Sequence, residues 1–64
     1  AMMEVEIWAV AEQVLRIHGD TASLFIAERI GSLTLAGDTR GVSVWREVSH
    51  RVWQLRIATP PASR

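Results

Sequence analysis

The chain carries two Gly-Asp pairs, Gly19-Asp20 and Gly37-Asp38, each set between long segments of apolar periodicity. A glycine just past a helix can enter the left-handed region without a Cβ penalty, and so can end the helix. An aspartate directly after it can accept a hydrogen bond from the first unpaired N–H groups of the next helix. One dipeptide thus stops a helix and starts another, and two of them cut 64 residues into three helix-sized pieces.

The first piece, about 4–18, places Ile7, Trp8, Ala11, Val14, Leu15 and His18 on one face, at the spacing of an amphipathic helix. Glu4 and Glu6 suit the positive end of its dipole. The second, about 21–36, has two apolar faces. Ala22, Phe25, Ile26, Ile30 and Leu33 form one; Leu24, Ala27, Gly31 and Leu35 lie nearly opposite. So wide an apolar arc needs cover on two sides, which sets this helix between its neighbours. The small pair Ala27 and Gly31 permits a close approach by one of them, or a seam with a second copy of the chain. The third piece, about 39–57, has a core stripe of Val42, Trp45, Val48, Val52 and Leu55, and Pro60-Pro61 cannot continue it. Glu12 and Arg16, and likewise Glu47 and Arg51, stand four apart as surface ion pairs. No period-two alternation is long enough for a strand. The expected architecture is all-α, a compact three-helix bundle with short Gly-Asp turns. Residues 1–3 read as a disordered start or cloning remnant, and 58–64 as a flexible tail. Truncating Trp8 or Trp45 to Ala is expected to cost roughly 3–5 kcal/mol.

A chain this short makes one domain and buries only about 60% of its unfolded surface. It has no cysteine, which excludes disulfides and thiolate metal sites. An apolar content of 48% is that of a folded protein. No apolar run is long enough to span a bilayer and no basic segment precedes a signal-like stretch, so a cytoplasmic protein with no membrane partner is expected. Seven arginines and no lysine stand against seven acids, for a formal charge of zero. Domains that live on phosphate contacts usually carry a positive excess, so nucleic acid is not the expected partner.

Four groups of residues invite a functional reading. His18 with Asp20 could hold a metal or move a proton, but there is no HExxH pattern, and roles at helix ends account for both residues. Gly37-Asp38-Thr39-Arg40-Gly41 joins two glycines to a helix start, yet an aspartate at the cap repels phosphate, and the spacing fits no nucleotide fingerprint. Nothing resembles a nucleophile elbow, a triad or paired carboxylates, so no catalytic, cofactor or metal residues are expected, and no enzyme. The second face of the middle helix is the third group. The fourth is the outer edge of the last helix, where Arg46, His50, Trp53 and Ile57 line up at i, i+4, i+7 and i+11. A tryptophan beside arginine has the composition of an interface hot spot. The competing reading folds Trp53 over the bundle edge as a cap on the core, with Arg46 snorkelling across it.

The order Trp8-Ala9, His18-Gly19, Phe25-Ile26-Ala27-Glu28-Arg29-Ile30-Gly31-x-Leu33 and Gly37-Asp38-x-x-Gly41-Val42-x-x-Trp45 resembles a family of short, functionally uncharacterised helical proteins from alphaproteobacteria. The resemblance covers about residues 7–55. It implies a helical fold in a bacterial cytoplasm and carries no catalytic set. The expected function is a small non-enzymatic protein–protein interaction module, accessory or regulatory. Its partner is an unidentified protein, with a homodimer as one form. The alternatives are a helix-turn-helix-like nucleic-acid-binding regulator, reading through Arg40, Arg46, Arg51 and Arg56, and a small inhibitor of a larger complex.

Overall fold

The computed structural model of the chain describes residues 3–58; the expectations for residues 1, 2 and 59–64, with the Pro60-Pro61 stop and nearly all of the tail, lie outside the described residues. Helix α1 spans Glu4–His18, a single 3-10 turn spans Gly19–Thr21, α2 spans Ala22–Leu35 and α3 spans Thr39–Ala58. The described chain is compact, 93% helical and without strands. Met3, expected in a disordered start, is the N-cap of α1, and its N–H donates to Glu6 Oε1 at 2.8 Å. An acid in the first turn thus reaches back to the cap, as in the second half of a capping box.

The second Gly-Asp pair behaves as its chemistry demands. Gly37 takes φ +75°. Its N–H donates to the Thr34 carbonyl at 3.0 Å, and the Asp38 N–H donates to that of Leu33 at 2.9 Å. These are the two bonds of a Schellman motif. Asp38 Oδ1 then accepts from the Gly41 N–H at 2.8 Å, which caps α3.

The first pair does not. Gly19 takes φ +53°, but the chain passes directly into the 3-10 turn, where the Ala22 N–H donates to the Gly19 carbonyl. The Thr21 hydroxyl donates to the His18 carbonyl at 2.8 Å. The His18 and Gly19 carbonyls are thus paired locally, and the Asp20 carboxylate caps neither the 3-10 turn nor α2; it lies 3.6 Å from Arg56. Helical elements follow one another from Glu4 to Leu35 with no intervening loop, and the positive φ of Gly19 bends the chain between α1 and the 3-10 turn. The described chain is therefore two helical stretches, 4–35 and 39–58, rather than the expected three-helix bundle with a Gly-Asp turn at each junction.

The core faces follow the periodicity. Ile7, Ala11 and Val14 of α1, Ala22 and Ile26 of α2, and Val48 and Val52 of α3 are buried together. Val10, Leu15, Phe25, Ile30, Val44, Trp45 and Leu55 pack around them. The order of packing differs from expectation. α3 lies against both α1 and α2, whereas α1 and α2 touch each other far less. The helix between its neighbours is α3, because its stripe of Val44, Val48, Val52 and Leu55 serves both partners at once. Trp8 and Trp45, expected at the centre, are only half-buried. Each lies under a guanidinium, Arg51 at 5.1 Å from the Trp8 ring and Arg29 at 5.5 Å from that of Trp45. They close the margins of an aliphatic core, and the cost of truncating either falls to about 2–3 kcal/mol.

Two helical glycines now separate. A Cβ at Gly31 meets nothing within 4 Å, while one at Gly41 would stand 2.6 Å from Asp38 Oδ2 and 3.1 Å from Leu33 Cδ2. Gly31→Ala should stabilise the protein by about 0.5–1 kcal/mol through backbone entropy. Gly41→Ala should instead destabilise it by about 1 kcal/mol, because the new methyl displaces the capping carboxylate. Urea denaturation of the two variants should give opposite signs for the same chemical change.

Candidate functional site

The outer surface of α3 is built by the same periodicity that buries its inner one. At about 100° per residue, Arg46, His50, Trp53 and Ile57 point roughly 120–180° away from the mean direction of Val48 and Val52. All four are exposed, Trp53 at 61% and Ile57 at 57% of their free surface. The rings of His50 and Trp53 lie 6.5 Å apart, with planes 19° from parallel. Trp53 is not among the residues packed on the core, so it does not fold over the bundle edge as a cap. The four residues thus form one contiguous surface with aromatic, aliphatic and cationic parts.

The other sequence candidates come apart. The His18 ring stacks on Phe25 at 4.0 Å between centroids, while Asp20 faces Arg56. No group of three or more potential metal ligands gathers among the described residues. The carboxylate of Asp38 is spent on its cap. Two open clefts adjoin α3. One, of about 800 Å³, runs between the start of α1 and the first half of α3, over Ile7 and Val44 with Glu4, Glu47, Arg40 and Arg51 at its walls. The other, of about 350 Å³, lies beside the Gly37-Asp38 turn and reaches Arg46.

The second face of α2 is uncovered. Leu24 is 60% exposed and Leu35 93%, and Ala27 and Gly31 are exposed between them. With no atom near a Cβ at Gly31, no helix among the described residues makes the close approach that its small side allows. The expectation that neighbours cover α2 on both sides is corrected, because α3 occupies only one side of it.

Arg51 is the residue whose role the sequence concealed. Its ion pair with Glu47 forms at 3.0 Å, but the side chain is only 15% exposed, not set on the outer surface. A second carboxylate, that of Glu4, lies 3.3 Å away, and Arg51 Nη1 donates to Gln54 Oε1 at 2.8 Å. With the Trp8 ring beneath it, this guanidinium fastens the start of α1 to the middle of α3. The pairing with Glu47 was legible from their spacing. The approach of Trp8 and Glu4, 43 and 47 residues away in the chain, was not. The companion pair Glu12–Arg16 does not form among the described residues.

A family model described as "Family of unknown function (DUF6961)" matches residues 3–59. The chain belongs to this family. The match takes in every core residue and the whole outer face of α3. No curated protein and no solved structure matches the chain. No helix among the described residues is long and apolar enough to cross a membrane.

The enclosure of Arg51 makes it a packing residue in this member of the family. Arg51→Ala should lower stability by about 2 kcal/mol, since it uncovers Trp8 and leaves two carboxylates without their cation. Arg51→Lys keeps the charge but loses the planar contact, and should recover less than half of that loss in the same denaturation series.

Proposed function

We propose that the chain is a small non-enzymatic protein–protein interaction module, accessory or regulatory, which engages its partner through Arg46, His50, Trp53 and Ile57 on the outer face of α3. The observation that carries this reading is the exposure of Trp53. A large aromatic ring stands off the core, with Ile57 one turn on and Arg46 and His50 alongside. Burying such a ring against a partner releases a large apolar area, and tryptophan and arginine dominate the energy of many interfaces. The bacterial cytoplasm implied by the family resemblance is the setting inferred for it.

Self-association is the second reading, favoured by the uncovered α2 face. Leu24 and Leu35 flank the small residues Ala27 and Gly31, and contiguous apolar surface of this kind gains from burial. The two faces point away from the core on different helices, so they are separable by mutation.

Solution mass across a dilution series, with Trp53→Glu and Leu35→Glu in parallel, tests both. The interaction reading expects Trp53→Glu to lose a partner that the parent chain retains. The self-association reading expects a concentration-dependent mass that Leu35→Glu abolishes. A strict monomer whose Trp53→Glu variant behaves like the parent in every pull-down removes both.

A further inference from the structure

The formal neutrality of the chain hides a segregation of charge. α3 carries four arginines against one glutamate, a formal +3, whereas α1 carries three glutamates against one arginine, a formal −2. The single acid of α3, Glu47, is drawn aside to Arg51 at the wall of the α1–α3 cleft. The outer side of α3 is left with Arg46 and His50 beside the exposed pair Trp53 and Ile57, while Arg56 at its edge faces Asp20.

Resting on the interaction face assigned above, we infer that its occupant is an acidic segment of another protein. Such a segment would set an apolar side chain against Trp53 and Ile57 and place carboxylates over Arg46 and His50. Arginine pairs with a carboxylate in a planar two-bond fork, and it loses less hydration in doing so than an ammonium group does. The apolar pair supplies the buried anchor, and Arg46 supplies steering and rejection of basic partners. Nucleic acid fits less well. With Arg51 enclosed and Arg56 facing Asp20, Arg46 is the arginine left on this face, which suits the one or two carboxylates of a short segment and not a run of phosphates. Ile57 offers no surface for base stacking. A second copy of the chain could bring the acids of α1 onto α3 reciprocally about a two-fold axis, and a concentration-dependent mass abolished by Arg46→Glu would replace the acidic segment of another protein with that copy.

The test is a displayed library of random peptides, panned on the intact chain and on its Trp53→Glu and Arg46→Glu variants. Thermal melts of each variant confirm that these exposed substitutions leave the fold in place. The expected result is enrichment of peptides rich in Asp and Glu with one or two large apolar residues. Their binding should weaken about tenfold or more on Trp53→Glu, and Arg46→Glu should shift the enriched set towards Lys and Arg. Enriched peptides that depend on Trp53 but carry no excess of acid overturn the acidic partner and leave the interaction face standing. Peptides indifferent to Trp53, or no enrichment at all, overturn both. Salt-sensitive retention of an oligo-dT strand that is lost with Arg46→Glu replaces the acidic partner with nucleic acid.

Discussion

Val48 and Val52 form the wall on which both other helices rest. They lie one turn apart on α3, and the alanines facing the core, Ala11 of α1 and Ala22 of α2, are completely buried with them. Alanine at a contact lets helix axes come close, so a core of few and small side chains still excludes water. One stripe of α3 thus replaces the two separate interfaces of a symmetric three-helix arrangement. In a chain this short that economy leaves apolar surface outside. The open face of α2 and the outer face of α3 both follow from α1 and α2 meeting on α3 more than on each other.

The two Gly-Asp junctions show how context decides what a dipeptide does. Both glycines adopt positive φ. After Gly37, the chain leaves the helix, completes a Schellman motif and restarts under the Asp38 carboxylate, for which Gly41 leaves room. After Gly19, the Thr21 hydroxyl and a 3-10 bond lead the chain straight into α2, and Asp20 turns outward. The first junction bends the chain from one helix into the next with no loop, while the second ends the helical stretch. The turn that reverses the chain is therefore the one at 36–38, and it sets α3 back along α2.

The three tryptophans mark three different physical situations. Trp8 is covered by Arg51, a residue itself pinned by two glutamates and a glutamine. Trp45 is held between Arg29 and the edge of Phe25, 5.9 Å from ring to ring, and Phe25 is in turn stacked on His18. Trp53 has the His50 ring 6.5 Å away and is mostly exposed among the described residues. Arginine thus has a structural task at the margins of the core and a surface task on the outside of α3, and the sequence uses the same residue type for both.

Periodicity alone determined which residues of each helix face inward, because the 3.6-residue repeat assigns a face without reference to any partner. Ile7, Ala11 and Val14, Ala22 and Ile26, and Val48 and Val52 were legible in that way. So was the alignment of Arg46, His50, Trp53 and Ile57 on one line of α3, since they belong to a single helix. The tertiary structure decided what lies across from each face. Which helix stands in the middle, whether the second side of α2 is covered, whether Trp53 caps the core, and where the Arg51 guanidinium rests all depend on contacts between residues distant in the chain. Helical spacing carries no information about those contacts, since a local repeat fixes the direction of a side chain and not the surface that it meets.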